Sequence, residues 1–268
     1  MEFWQALILA VIEGLTEYLP VSSTGHIILG SALMGIEGTP FVKDYTVIVQ
    51  FGAILSVLVV YRERILAALR RGPRVFFLLL LAFLPAAFFG LLFGKKIDAL
   101  LGDVAVVGWS LLIGGFVLLF LDRLPAMLEK KKPDALEISF KDGVLIGLAQ
   151  CLALVPGVSR SGASIAGALA LGFNRKTAAE FSFFLAVPTL TAATGYKLLK
   201  MGDSLSSETL PVILVGNLVS FIVGILAIKS FIGFLERRGF FWFGVYRIVL
   251  GAIILGIVLS GHSLKMID

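Results

Sequence analysis

Two short stretches hold most of the residues able to do chemistry. "EGLTEYLPVSSTGH", residues 13–26, carries Glu13, Glu17, Ser22, Ser23, Thr24 and His26. "VPGVSRSGAS", residues 155–164, carries Ser159, Arg160, Ser161 and Ser164, with Gly157 and Gly162 between them. Glu13 and Glu17 stand four apart, on one face of a helix. Such a pair suits a divalent cation, or general acid–base work beside a bound anion. The plainer alternative is a hydrated pair at the rim of a membrane. Ser22, Ser23 and Thr24 follow Pro20 and can start a helix, whose free N–H groups and positive dipole end attract phosphate. His26 lies three residues after Ser23. A histidine within reach of a serine can act as its base or as the nucleophile itself. Arg160 keeps its charge and matches phosphate oxygens bidentately. The flanking glycines let backbone N–H groups come close. A salt bridge from Arg160 to Glu13 or Glu17 is the bland alternative, and it is compatible with a site.

Together these residues make a phosphate site. Glu17, Ser23, His26 and Arg160 are the catalytic candidates. Ser22, Thr24, Ser159, Arg160, Ser161 and Ser164 are candidates for holding phosphate, and Glu13 and Glu17 for holding a metal.

The elements that carry these residues are apolar. Of 268 residues, 58% are hydrophobic and 15% charged, with a mean hydropathy of +0.99. That places the chain among membrane proteins. The net charge of +5 fits basic loops at a cytoplasmic face and does not call for nucleic acid. A phosphate site inside a membrane suits a lipid phosphate, whose tail stays in hydrocarbon while its head reaches the polar groups. Cys151 is the single cysteine, has no metal-ligand neighbours and reads as packing. The first residues lack a basic start, and Glu13 interrupts the apolar run, so they read as mature protein.

Six stretches read as ordinary spans, at roughly 45–61, 75–94, 104–121, 178–197, 211–234 and 241–260. Residues 3–36 and 143–172 are also apolar but break at their centres, at Pro20 and Pro156. Each half is about 14–17 residues, short of the roughly 20 that span a bilayer. Each therefore reads as helix, turn, helix: a re-entrant hairpin, tolerated at membrane depth where protein or a wet cavity surrounds it. Pro20-Val21-Ser22-Ser23 aligns with Pro156-Gly157-Val158-Ser159, an offset of 136, and three spans follow each. The expected fold is an all-α polytopic membrane protein, a single membrane domain of residues 1–268. It has six transmembrane helices and two re-entrant helical hairpins. Repeat 1 covers about 1–122, and repeat 2, of inverted topology, about 140–262.

The basic residues orient it. Arg62, Arg64, Arg70, Arg71 and Arg74, then Arg123, Lys130, Lys131, Lys132 and Lys141, then Arg175, Lys176, Arg237 and Arg238 all fall inside if both hairpins return to their own side. The first hairpin then enters from outside and the second from inside. Gln50 and Glu180 either line the cavity or pair between helices. Asn217 and Ser220 suit interhelical hydrogen bonds. His262 has no assigned role.

At its two motifs the sequence resembles the undecaprenyl-diphosphate phosphatase family of bacteria, linked to bacitracin resistance. "EGLTEYLPVSSTGH" is similar to that family's glutamate-rich first motif and "PGVSRSGAS" to its second, and the span pattern fits over all 268 residues. The resemblance implies a bacterial plasma (inner) membrane enzyme with its site facing the periplasm or outer surface. It would hydrolyse undecaprenyl diphosphate to undecaprenyl phosphate and inorganic phosphate, recycling the carrier lipid of peptidoglycan synthesis. It implies a divalent cation, Mg²⁺ or Ca²⁺, a polyprenyl diphosphate substrate and a membrane-lipid environment. It carries roles onto Glu13, Glu17, Ser23, His26, Ser159 and Arg160. Ser164 stands where the family usually has Thr, and Val158 where Thr is common. The oligomeric state stays open between a single chain and a homodimer. Broken helices in an inverted repeat are also transporter architecture, so a carrier or flippase of a phosphate-headed lipid is the rival class. A non-catalytic scaffold is a third reading, which leaves Arg160 unexplained.

Overall fold

The chain was analysed as a computed structural model, which describes residues 1–36, 38–101, 103–121, 134–201 and 206–260. Arg123, Lys130, Lys131, Lys132 and His262 lie outside the described residues. Within them the chain is all-helical. In order the helices are α1 (Phe3–Thr16), α2 (Ser23–Leu33), α3 (Pro40–Ile48), α4 (Gln50–Val60), α5 (Arg62–Arg70), α6 (Arg74–Leu101), α7 (Val104–Leu121), α8 (Phe140–Gln150), α9 (Arg160–Ala170), α10 (Arg175–Met201), α11 (Thr209–Arg238) and α12 (Phe241–Leu259). A 3₁₀ turn, Cys151–Leu154, extends α8.

Among the described residues five segments are long and apolar enough to cross a membrane: Pro40–Val60, Arg74–Ile97, Val104–Leu121, Thr209–Arg238 and Phe241–Leu259. The sixth expected span, 178–197, lies within α10. Its polar residues dilute its apolarity, and it runs through the core, where Ala178, Ala179 and Phe183 through Ala186 are at most 1% exposed. The first span starts earlier than its hydropathy predicts, because Thr39 caps α3 through the Val42 N–H with Pro40 at the first helical position. Residues 62–70, expected as loop, form the exposed helix α5.

Residues 3–36 and 143–172 are each two helices, as their central prolines imply. Within each pair the arms run antiparallel and close. A Cβ at Gly30 would lie 2.7 Å from Ile12 Cδ1, and one at Gly167 2.5 Å from Ala149 Cβ. Both second arms begin at a serine with positive φ, Ser22 (69°) and Ser159 (78°), and end at a left-handed glycine, Gly35 and Gly172. These matching positions share an offset of 137 residues, so the alignment of Ser23 with Ser159 is corrected by one. Ser22 is the counterpart of Ser159, and Ser23 of Arg160. The reason is local: the proline precedes the strained serine by two residues in the first break and by three in the second.

Close backbone approach holds the frame. α1 packs on α11, α4 on α11, α6 on α8, and α7 on α12. Gly52 rests on the Asn217 backbone and Gly147 on that of Ala82. Between α7 and α12, a Cβ at Gly251 would lie 2.8 Å from the Gly108 carbonyl oxygen, and one at Gly244 2.9 Å from that of Gly115.

Candidate active site

The site forms where the two breaks meet. Left-handed backbone at a non-glycine residue costs about 1–3 kcal/mol and persists only where the surroundings over-determine it. Here each strained serine caps its own helix: Ser22 Oγ accepts from Gly25 N at 3.4 Å, and Ser159 Oγ from Gly162 N at 3.1 Å. Each hydroxyl thus gives an acceptor site to the backbone, and Ser159 Oγ also lies 3.0 Å from Ser161 Oγ. The N–H groups of Ser23, Thr24, Arg160 and Ser161 open their helices ahead of the first intrahelical bonds, so the two first turns offer donors to an anion.

The first break is tied to the second by one carboxylate. Glu17, just past the end of α1 and 6% exposed, accepts from Ser23 Oγ at 2.9 Å and from Arg160 Nε at 3.0 Å. Arg160 Nη1 donates to the Ser182 carbonyl at 2.8 Å. The guanidinium lies 6.0 Å from the centre of the Tyr18 ring. Its Nη2 is buried with no hydrogen-bond partner. Glu13 is fully buried with its carboxyl beside that of Glu17, and no N–H or hydroxyl donor among the described residues reaches either of its oxygens. A buried polar group left unpaired is costly, so these atoms are the ones shaped for something the protein alone does not supply.

Several expected ligands turn out to support rather than face the site. Ser161 Oγ donates to the Leu19 carbonyl at 2.8 Å, stitching the second break to the first. Ser164 Oγ, fully buried, lies 2.7 Å from Ser182 Oγ and 2.9 Å from the Arg160 carbonyl oxygen. It buttresses the residue that holds Arg160. Thr24 is half-buried at the start of α2.

His26 does not share a hydrogen bond with Ser23. Its Nδ1 lies 2.7 Å from the Ser22 carbonyl oxygen and so carries the proton, leaving Nε2 to accept from the Tyr246 hydroxyl at 2.5 Å. The two rings are stacked, with centroids 5.5 Å apart. The expected Ser23–His26 pairing is thus replaced by Ser23–Glu17. The backbone turn at Ser22 aims Ser23 at α1 and His26 at α12.

Glu180 pairs with Arg64 at 2.7 Å, and Asn217 Oδ1 accepts from Gly52 N at 2.7 Å. Both link helices. Sequence reasoning passed over Ser182, Tyr18, Tyr246 and Arg247. Arg247 had a signal, since a charged residue within an apolar span is a marked position. The others had none, because each acts through a contact across more than twenty residues or through a backbone atom.

Fold and site define a multi-pass, all-helical membrane protein with a buried serine–glutamate–arginine centre. A model of the family described as bacitracin resistance protein BacA matches residues 6–253. The chain is 49% identical to the undecaprenyl-diphosphatase of Bdellovibrio bacteriovorus, with 100% of each chain covered. It is 48% identical to that of Flavobacterium psychrophilum, again over 100% of each. Identity to the Campylobacter jejuni (serotype O:23/36) undecaprenyl-diphosphatase is 43%, covering 97% of this chain and 96% of that one. This chain belongs to the BacA family.

Proposed function

We propose that this protein is an undecaprenyl-diphosphate phosphatase, releasing inorganic phosphate and returning undecaprenyl phosphate to cell-wall synthesis. The observation that carries the reading is the contact of Ser23, Glu17 and Arg160 across the two breaks, with one Arg160 N–H group and the Glu13 carboxylate left unpaired beside it. The names of the relatives point to the same reaction.

Ser23 Oγ attacks the terminal phosphorus while Glu17 takes its proton. The bond from that phosphorus to the bridging oxygen breaks, and undecaprenyl phosphate leaves with the electron pair. Water then hydrolyses the phosphoserine, giving inorganic phosphate and free Ser23. Arg160 Nη2 and the first-turn N–H groups hold the equatorial oxygens as charge builds. His26, anchored on Tyr246, stands close by in α2 and contributes to binding the diphosphate.

The donor set fits a hard cation held in part by substrate. Among the described residues no group of three or more acidic, His or Cys side chains could hold a metal. A site of one or two carboxylates completed by phosphate oxygens is the pattern of Mg²⁺ more than of Ca²⁺. Glu13, whose oxygens no N–H or hydroxyl donor among the described residues reaches, would be the main ligand, and Glu17 the second. Bound there, the cation would neutralise the charge of the diphosphate.

In the membrane, α1–α2 and α8–α9 form re-entrant hairpins, and α10 is the sixth span. The halves make an inverted repeat whose broken tips meet at the site. The common offset of 137 residues supports this reading. Arg64, Arg71 and Lys176 pair with Asp134, Glu137 and Glu236 at one end of the bundle. We place that basic end in the cytoplasm and the opening of the site toward the periplasm of the bacterial plasma membrane.

The test is phosphate release from a long-chain prenyl diphosphate by the purified protein in detergent, with and without a chelator. Turnover that stops on chelation and returns with Mg²⁺ is expected. Absence of release from any prenyl diphosphate, with lipid movement in vesicles, would assign a carrier instead.

A further inference from the structure

The site has a second arginine beneath it. Arg247, in the middle of α12, is 1% exposed. Its hydrogen bonds among the described residues all go to backbone carbonyls. Nε reaches Leu111 at 3.4 Å, Nη1 reaches Pro20 at 3.1 Å and Val158 at 2.9 Å, and Nη2 reaches Ser110 at 3.1 Å and Gly157 at 2.9 Å. A guanidinium has five N–H donors in a fixed plane, and here each has an acceptor. Pro20 belongs to the first break, Gly157 and Val158 to the second, and Ser110 and Leu111 to α7, on which both breaks rest. A Cβ at Gly25 would lie 3.1 Å from Leu111, and one at Gly157 2.7 Å from the Val107 carbonyl oxygen.

The bonded carbonyls sit next to the reacting residues. The Val158 carbonyl belongs to the peptide that leads into strained Ser159, directly before Arg160. The Pro20 carbonyl lies two residues before strained Ser22 and three before Ser23. Fixing those peptide planes fixes where Ser23 Oγ and the Arg160 guanidinium point.

We propose that Arg247 is a positioning residue, which clamps the two breaks to α7 so that Ser23 and Arg160 face one phosphoryl group. The proposal rests on the phosphatase reading. A lysine, with three donors on a flexible stem, cannot hold three segments in one plane. Space for the guanidinium comes from Gly114, where a Cβ would meet Arg247 Cζ at 2.8 Å and overlap Nη2.

The experiment compares Arg247→Lys, Arg247→Ala and Gly114→Ala with the unaltered protein, reading kcat and KM for phosphate release and the thermal midpoint in detergent. A misplacement of about 1 Å costs about 100-fold in rate. A kcat loss of that order, with KM little changed, is expected for the two arginine variants. Gly114→Ala, which shifts the guanidinium without removing it, should lose kcat in the same direction. Guanidinium chloride at sub-denaturing concentration should restore part of the Arg247→Ala rate, whereas sodium chloride should not. Folded Arg247→Lys or Gly114→Ala with kcat near that of the unaltered protein would overturn the proposal. So would a rate loss that only follows the folded fraction. If Arg247→Ala does not fold, Arg247→Lys and Gly114→Ala decide. Failure of the unaltered protein to release phosphate would instead refute the phosphatase reading.

Discussion

Glu17→Gln isolates the role of the carboxylate shared by the two breaks. The substitution keeps the side-chain shape but exchanges one acceptor oxygen for an NH₂ donor. Glu17 now serves Ser23 Oγ at 2.9 Å with one oxygen and Arg160 Nε at 3.0 Å with the other. A glutamine can offer its oxygen to only one of them and turns a donor toward the other. If it keeps Arg160, Ser23 loses its proton acceptor, and loss of a general base costs about 10²–10⁴ in rate. If it keeps Ser23, the charge-assisted bond to Arg160 goes, worth about 1.5–3 kcal/mol. The two losses share one centre and do not add. Because an amide cannot take the Ser23 proton on either route, a fall in kcat of at least about 100-fold follows, with a smaller change in KM because Arg160 Nη1 stays tied to Ser182. The assay is phosphate release at saturating prenyl diphosphate and fixed Mg²⁺, on protein shown to be folded by its thermal midpoint. Folded Glu17→Gln within about tenfold of normal kcat would refute the base assignment. If His26→Gln were then inactive, the proton would pass to the histidine.

Glu13→Gln removes one ligand charge from the proposed cation site. The Mg²⁺ concentration giving half-maximal phosphate release should rise at least about tenfold, since even outer partners of a metal ligand are worth about 10–100-fold. Tyr18→Phe deletes the hydroxyl that donates to the Ala53 carbonyl but keeps the ring beside Arg160, so kcat should hold while stability in detergent falls by about 1 kcal/mol. Gly52→Ala and Gly147→Ala each drive a Cβ into a facing backbone, that of Asn217 or Ala82. Overpacking of this kind costs about 1–3 kcal/mol or more, so both should lower the thermal midpoint far more than Gly94→Ala, where a Cβ meets nothing within 4 Å. Arg64→Gln leaves Glu180, 5% exposed, without its cation. It should lower the midpoint and leave the KM for prenyl diphosphate unchanged.

The breaks were legible because proline and serine act on their own neighbours. Pro20 and Pro156 mark where helix stops, and the serines beyond them mark where it restarts. The register between the breaks was not legible to one residue, because that depends on which serine takes the left-handed turn. Arg160 and the glutamates stood out because charge in an apolar run demands a partner, but the sequence left open whether Arg160 met Glu13 or Glu17. The partner of Ser23 was missed for a directional reason. Residues 23 and 26 fall near one another on an ideal helix, yet the turn at Ser22 starts α2 in an orientation that gives each a different neighbour. In residues 62–70 the charges mark a basic membrane face and no core-facing stripe marks a helix, since α5 buries no residue.

The Glu17–Arg160 contact also bears on how the chain is made. The two residues are 143 positions apart, so at about 5–20 residues per second the arginine is synthesised on the order of 10 s after the glutamate. During that interval α1 has two carboxyl groups and no cation to set them against. The first half therefore lacks the charge partner of Glu17 until Arg160 arrives. A chain interrupted before α9 would be an insertion intermediate with an unanswered acidic pair, distinguishable by quality-control proteases from the finished protein.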